Sequence, residues 1–366
     1  MKPRKILPVF VILACLLLLY ILHKNRELTQ KNDLSRRMAK EKTVKTVKLS
    51  KKMQLKCRGL NKKILSKRIL DKIIFETLTK QIQLMQICPW KQNAKLVAQY
   101  RSEFKQCCNA SQDLVLTQEN TVMGQKILYE TNRKKSVIVK DMLFQMLPKE
   151  PLWSQTLGHC AVVGNGGILN NSRCGQQIDK ADFVIRLNLP PLNNENDVGM
   201  KTSLVTANPT ILRRFDFLSY TRKSFEKMME VYGQSVVVMP AFSYASCTEP
   251  SFRAFFTLKD FNLQNVTFFH PEYLLRLNNY WKSKGLLAQR LSSGMMLVSV
   301  ALELCSKVTL YGFWPFSSNL NRKPIFHHYY DNVGPKKGVH KMSEEFLLYM
   351  QMHSKGLLQL KIGMCS

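Results

Sequence analysis

Acidic side chains are scarce in this sequence. Of its 366 residues only 25 are Asp or Glu, against 55 Lys and Arg, for a net charge of +30 at pH 7. No D-x-D occurs, so closely spaced carboxylates that would chelate a divalent cation are missing. The nearest spacing, Glu195-Asn196-Asp197, lies in a Pro- and Asn-rich loop and reads as surface. No paired C-x-x-C and no H-E-x-x-H is present, which removes the zinc knuckle and the helical zinc-protease arrangement. Internal repeats and low-complexity tracts are lacking too. Core-forming side chains are not: 45% of residues are hydrophobic, enough for one large domain or two small ones.

The basic excess is uneven. Residues 1–150 hold 32 basic and 11 acidic side chains, whereas residues 151–366 hold 23 and 14. Such a surplus points to nucleic acid or to an anionic membrane surface, and the N-terminus speaks against nucleic acid. Residues 6–22 form a run of 17 without a charge, between MKPRK and His23-Lys24. At ~1.5 Å per residue this approaches the thickness of a hydrocarbon core. Tyr20-Ile21-Leu22-His23 offers no small-residue cleavage site, so an uncleaved signal anchor is expected rather than a removed signal peptide. Basic residues flank both ends of the run, so orientation must come from elsewhere.

Cysteine and asparagine supply it. Nine of the ten cysteines follow the span without a metal knuckle, which favours disulfides in an oxidising compartment. Nine is odd, so at least one is free or bonded to another chain. Three sequons, at Asn109, Asn170 and Asn265, add to the luminal reading. The expected layout is a cytoplasmic tail 1–5, a transmembrane span 6–22, a luminal stem 23–85 and a folded domain 86–366. Residues 24–80 carry 19 basic and five acidic side chains and no Pro. Leu65, Ile69 and Ile73, then Leu70, Ile74 and Leu78, recur at four-residue spacing, which gives the stem helical character.

Within the domain, short apolar runs at 160–163, 183–187, 236–239, 266–269 and 308–311 end in turns. Helical stretches at 223–232 and 295–304 lie between some of them. This alternation predicts an α/β fold with a Rossmann-like, largely parallel central sheet flanked by helices. The first run enters Gly164-Asn165-Gly166-Gly167, where glycines let amides approach an anion. A dinucleotide fingerprint needs another Gly at 169, where Leu stands, and a plain strand–turn fits as well. Ser292-Ser293-Gly294 opens an apolar helix as a hydroxyl N-cap would; its amides suit a carboxylate or phosphate, though simple capping is the commoner use. Four of the seven histidines, His327, His328, His340 and His353, fall in the last 40 residues. Without a carboxylate at helical spacing, they suit acid–base or phosphate contacts better than a metal.

Taken in order, four segments resemble the sialylmotifs of the animal sialyltransferases. They are a large motif at 160–205, a small motif at 290–312, a third motif His328-Tyr329-Tyr330-Asp331, and a very small motif His340-x-x-x-x-Glu345. Val162-Val163-Gly164-Asn165-Gly166-Gly167-Ile168-Leu169, Tyr311-Gly312-Phe313-Trp314-Pro315-Phe316, Cys88-Pro89-Trp90-Lys91 and Cys107-Cys108 resemble the alpha-2,8 group in particular. Ser293 departs from the family's usual Thr and keeps the hydroxyl. The likeness covers residues 86–366.

The resemblance implies a metal-independent variant of a nucleotide-sugar glycosyltransferase fold, in a single-pass type II Golgi membrane enzyme with a luminal catalytic domain. It implies transfer of sialic acid from CMP-sialic acid, with inversion, in alpha-2,8 linkage to a terminal sialic acid on a glycoprotein O-glycan or a glycolipid. No cofactor and no metal is implied. Asn165 and Asn188 would contact the nucleotide's phosphate and ribose, and Ser292, Ser293 and Gly294 the sialic acid carboxylate. Trp314 would line the cytidine pocket, His328 with His327 would meet the phosphate, and His340 would be the general base. The resemblance also pairs Cys160 with Cys305 and Cys174 with Cys365. Expected partners are the donor, a sialylated acceptor, the membrane through one helix and a second copy of the chain, with no nucleic acid. An imidazole near neutral pH can take the proton of an attacking hydroxyl, and helix amides with His328 can offset phosphate charge without a cation. Two other classes stay open: a nicotinamide-dependent luminal oxidoreductase, and a catalytically silent glycan-binding protein of the same fold.

Overall fold

The computed structural model describes residues 24, 50–68, 75–153, 155–212, 221–334 and 338–365. The run 6–22 lies outside them, and among the described residues no helix is long and apolar enough to cross a membrane. The chain divides into an N-terminal unit, Met1–Gln54, and a main unit, Leu55–Ser366, which carries the sheet.

Two strands, β1 (Lys126–Leu128) and β2 (Ser136–Ile138), form an antiparallel hairpin. Seven more make the central sheet: β3 (Leu157–Val163), β4 (Phe183–Arg186), β5 (Leu204–Thr206), β6 (Val236–Met239), β7 (Val266–Phe268), β8 (Cys305–Tyr311) and β9 (Gln359–Lys361). Their order is β7-β6-β5-β4-β3-β8-β9, and every neighbouring pair is parallel. A parallel sheet is covered on both faces, so its strands read as unbroken apolar runs. Ala161, Val162 and Val163, and likewise Val237, Val238 and Met239, are all buried.

The helices are α1 (Lys51–Leu65), α2 (Phe75–Ile87), α3 (Ala94–Cys107), α4 (Ala110–Asp113), α5 (Asp141–Met146), α6 (Gly175–Asp179), α7 (Glu195–Val198), α8 (Pro209–Leu212), α9 (Arg222–Met229), α10 (Ala245–Asp260), α11 (Pro271–Ser283), α12 (Ser293–Leu304) and α13 (Met342–Lys355). Helix α12 is buried at every position after Ser293, as its largely apolar sequence requires, and it takes Ser299 and Glu303 in with it. It enters the same core as α3, α11, α13 and the facing side of β3 and β8.

Strand order reverses beside β3. Strands β4 to β7 build out on one side, β8 and β9 on the other, so the chain leaves the ends of β3 and β8 in opposite directions. A crevice opens at such a switch point, at the carboxyl ends of the strands. The β3–β8 register, with Val163 opposite Tyr311, puts residues 164–167 beside residues 312–314 at that edge.

The folded unit starts earlier than the boundary at 86 that the sequence suggested. Leu60 and Ile64 of α1, with Leu78, Ile82 and Met85 of α2, are buried in the main core. A disulfide joins Cys57 to Cys88. Of the apolar positions noted at four-residue spacing, Leu78 is buried and Leu65 is exposed, and 69, 70, 73 and 74 lie outside the described residues. Gln86 donates to Leu360 O (3.2 Å) and accepts from the Ile362 amide (3.2 Å), so α2 covers the exposed edge at β9.

Three more disulfides link Cys107 to Cys108, Cys160 to Cys305, and Cys174 to Cys365; Cys247 is a buried free thiol. Cys160 sits mid-strand in β3, and Cys305 at the joint of α12 and β8. The bond therefore ties together the two switch-point strands, away from the crevice itself.

Candidate active site

The glycine turn after β3 is packed, not open. The amides of Gly164, Gly166 and Gly167 donate to Tyr311 O (2.7 Å), Gly312 O (2.9 Å) and His327 O (3.2 Å). A Cβ would lie 2.8 Å from Gly312 O at position 164, 2.6 Å from it at 166, and 2.2 Å from Phe326 O at 167. Glycine is needed here because three backbone segments meet, and these amides do not cradle an anion; the strand–turn alternative is the one observed.

Asn165 sits between these glycines. Its Nδ2 donates to Leu187 O (2.9 Å) and toward the Tyr330 hydroxyl (3.4 Å), and its carbonyl accepts the Tyr329 amide (2.8 Å). Its Oδ1 is buried without a partner. An acceptor left this way calls for a donor, so it suits a hydroxyl or amine better than a phosphate oxygen. Asn188 follows β4 in a left-handed conformation, φ 60°, which Asn tolerates better than most residues. Thr206 Oγ1 holds both its amide (3.0 Å) and its Oδ1 (3.3 Å).

Helix α12 points its N-terminus at the same edge. Ser292 caps it, Oγ accepting the Met295 amide at 3.0 Å. The Ser292 hydroxyl donates to Glu345 Oε2, and the Ser292 amide to Glu345 Oε1 at 2.9 Å. Both donors of Ser292, one of the three residues expected at the carboxylate, are thus taken by Glu345. The amides of Ser293 and Gly294, first in the helix, have no intrahelical acceptor, and no acidic residue stands in that turn. A Cβ on Gly294 would fall 2.9 Å from Phe313 Cε1 and 3.7 Å from Leu187 Cδ1, so the helix end abuts the ends of β8 and β4. Burial pushes the Glu345 carboxyl above its ordinary range, against the pull of the two Ser292 bonds.

Two histidine segments close the arrangement. His328 pairs with Gly166 as an isolated antiparallel bridge, stacks on Tyr330 (centroids 5.1 Å, interplanar angle 17°), and has Nδ1 2.7 Å from Asp331 Oδ1. A carboxylate there fixes the proton on Nδ1 and turns Nε2 outward. His327 packs edge-on at 4.6 Å; burial, then the neighbouring imidazole, lowers its pKa.

His340 has Nδ1 3.0 Å from the carbonyl of Arg290. A carbonyl only accepts, so Nδ1 carries the hydrogen and Nε2 the lone pair. Burial lowers the His340 pKa below 6.5, the Arg290 carbonyl bond opposing in part, so the ring is neutral near pH 7. His353 is no part of this group. Its Nδ1 accepts the Leu360 amide (3.0 Å), and burial takes its pKa down to about 4.

Three supporting residues were missed or misread in the sequence. Glu130 receives the Arg290 guanidinium at both oxygens (2.9 and 3.0 Å), and Ser243 Oγ lies 2.8 Å from Arg290 Nη2. Asp197, read as surface, is buried and accepts the amides of Asn171 (2.7 Å) and Arg173 (2.8 Å). That loop is held from inside, with the carboxylate serving as acceptor for otherwise orphaned backbone. Trp314, expected on a pocket wall, is a core residue. It is 5% exposed, donates to Ser318 O (2.9 Å), and packs against Phe75, Phe316 and Phe346. Among the described residues no three His, Cys, Asp or Glu side chains are grouped to hold a metal ion. Asn170 and Asn265 are exposed, and Asn109 is half-buried.

The description glycosyltransferase family 29 (sialyltransferase) matches residues 109–357. The chain belongs to this family. Mouse alpha-2,8-sialyltransferase 8F is 42% identical over 330 residues, covering 89% of this chain and 81% of its own. Human alpha-2,8-sialyltransferase 8F is 45% identical over 286 residues, 77% and 72% of the two chains. The Xenopus laevis alpha-N-acetylneuraminide alpha-2,8-sialyltransferase is 45% identical over 288 residues, 77% and 80%. A crystal structure of a mammalian sialyltransferase shares the fold at a TM-score of 0.50 and 22% identity, covering 75% of this chain and 98% of that one. In this sialyltransferase Asn165, Asn188, Ser293, Gly294, His327, His328 and His340 gather around the switch point, with Ser292 as the cap of α12 and Trp314 packed in the core.

Proposed function

We propose that this sialyltransferase takes sialic acid from CMP-sialic acid and joins it, in alpha-2,8 linkage, to a terminal sialic acid on a glycoprotein or glycolipid acceptor. His340 is the general base, and the anomeric centre inverts. The linkage rests on the names of relatives 42–45% identical to the chain. The base rests on one observation, the His340 Nδ1 bond to Arg290 O, which leaves a neutral ring with Nε2 free. The acceptor hydroxyl passes its proton to Nε2 as its oxygen attacks the anomeric carbon and the bond to CMP breaks. The amides of Ser293 and Gly294 meet the sialic acid carboxylate at the positive end of α12. His328, oriented by Asp331 and flanked by His327, faces the leaving phosphate, and Asn165 with Asn188 holds the nucleoside. No step calls for a metal.

The oxidoreductase alternative loses its support, because the amides at 164, 166 and 167 are already engaged. Residues 1–5, 6–22 and a stem ending near 54 would make this a type II Golgi membrane protein. The uncharged run, four disulfides and the exposed sequons Asn170 and Asn265 support that layout, with Asn109 as a third glycan site. The test is a panel of sialylated and unsialylated acceptors incubated with CMP-sialic acid, with linkage analysis of the product. Disialyl products joined through the 8-hydroxyl are expected. Transfer only to unsialylated galactose, or full activity after His340→Ala, overturns the reading.

A further inference from the structure

We propose that Glu130, acting through Arg290, is a positioning residue for His340; this rests on the reading of His340 as the base. Glu130 lies just past β1, 160 residues before Arg290 in sequence. The two side chains are 6% and 17% exposed and share a two-point ion pair. Ser243 Oγ bonds to both of them, and the guanidinium lies 5.7 Å from the ring of Tyr244. The pair is anchored in turn. The amides of Glu130 and Thr131 donate to Phe242 O (2.9 Å) and Ser243 O (3.1 Å), so the hairpin end is fixed to the loop after β6.

What this anchor holds is the Arg290 backbone. Its amide donates to Val339 O (3.3 Å), and its carbonyl takes the His340 Nδ1 hydrogen. Arg290 therefore grips the segment that carries the base at two adjacent points, while its side chain is fixed by Glu130. A shift at Arg290 moves the imidazole directly. Charge follows the same path. Among the described residues Arg290, with Glu130 behind it, is the charged group that acts on His340; Glu345 is bonded to Ser292, the Lys341–Glu344 ion pair lies on the segment of His340, and the buried Cys247 thiol lies on the Arg290 side. Glu130 neutralises Arg290, whose charge disfavours protonation of His340.

The test uses the full-length enzyme, with Glu130→Gln, Glu130→Asp, Arg290→Gln and the Glu130→Gln/Arg290→Gln pair, each checked for folding by melting temperature. Glu130→Gln is expected to lower kcat roughly 10- to 100-fold by misplacing the base. The KM for CMP-sialic acid should change less than about twofold, because no donor contact is removed. The acid limb of the kcat–pH profile should move to lower pH, since Arg290 is then uncompensated. Glu130→Asp should recover part of the rate, and the double variant should be no slower than Arg290→Gln alone. A Glu130→Gln enzyme with wild-type kcat overturns the proposal. So does a loss of rate with an unmoved pH profile and no recovery in Glu130→Asp. His340→Ala separates the two levels: if it keeps wild-type activity the base reading fails, and if it is inactive beside a normal Glu130→Gln only the positioning role fails.

Discussion

Glu345 holds Ser292 at two points, one carboxylate oxygen accepting its amide and the other its hydroxyl. Five residues earlier, His340 is bonded to the carbonyl of Arg290. The ends of the segment 340–345 are thus fastened two residues apart on the segment that starts α12. The spacing of the very small motif matches this grip, which joins the base to the helix terminus proposed to meet the carboxylate.

Ser292→Ala removes the cap and leaves one oxygen of a buried carboxylate unpaired. The cap alone is worth about 1 kcal/mol, and the orphaned acceptor adds about 1–3 kcal/mol. A melting temperature lowered by several degrees is expected, with a raised KM for the donor as the first turn of α12 loosens. Thermal unfolding and steady-state kinetics of one preparation check both.

His340→Ala should reduce kcat on the order of 10²- to 10⁴-fold while CMP still binds. In the wild type the neutral ring is the active form and its pKa lies below 6.5. Activity should therefore persist down to pH 6.5 and fall only as pH drops through that lowered value. An acid limb centred above 6.5 would contradict the burial of this ring.

Gly167→Ala places a Cβ 2.2 Å from Phe326 O, a backbone atom just before His327. The loop carrying His327 and His328 must move, and a loss of roughly 100-fold in kcat/KM is expected, with the far-ultraviolet circular dichroism unchanged. Gly334→Ala, where nothing lies within 4 Å, is the control and should behave as wild type.

Much of the sheet was legible and much of the support around the site was not, for one physical reason. Strands β3, β4, β6, β7 and β8 are apolar runs bounded by turns, a local property. Strands β5 and β9 are three residues each; unlike β7 with its flanking Phe269, β5 has no large apolar neighbour to extend the run, and β9 sets Leu360 between Gln359 and Lys361. Strands β1 and β2 are half-exposed within a basic stretch. The histidines and the Ser292-Ser293-Gly294 turn announce themselves by residue type. Glu130, however, finds Arg290 across 160 residues, and nothing local marks it. The use of Ser292 as an N-cap was legible beside its expected ligand contact, because both want the same hydroxyl. The cage of Phe75, Phe316 and Phe346 around Trp314 was not, because it forms only in three dimensions.

A non-reduced peptide map should recover Cys57–Cys88, Cys107–Cys108, Cys160–Cys305 and Cys174–Cys365, with Cys247 alkylated only after denaturation. Cys160→Ser opens a closure of 145 residues. Chain-entropy reasoning gives a loss of about 5 kcal/mol for a loop of that size, so secretion of folded enzyme should collapse. Any other partner for Cys160 would refute the β3–β8 link.

Transfer should survive EDTA unchanged, because the proposed mechanism sets His328 against the phosphate charge and calls for no cation. Loss of activity that magnesium or manganese restores would require a cation site this arrangement does not provide.

The early start of the folded unit limits how the enzyme can be shortened. A chain that begins anywhere from 58 to 88 lacks Cys57 and leaves Cys88 as an unpaired thiol. One that begins after Gln86 also loses the cover of α2 over β9, inviting strand-to-strand association. A shortened form that keeps this link must therefore begin upstream of Cys57, in the basic segment ahead of that residue.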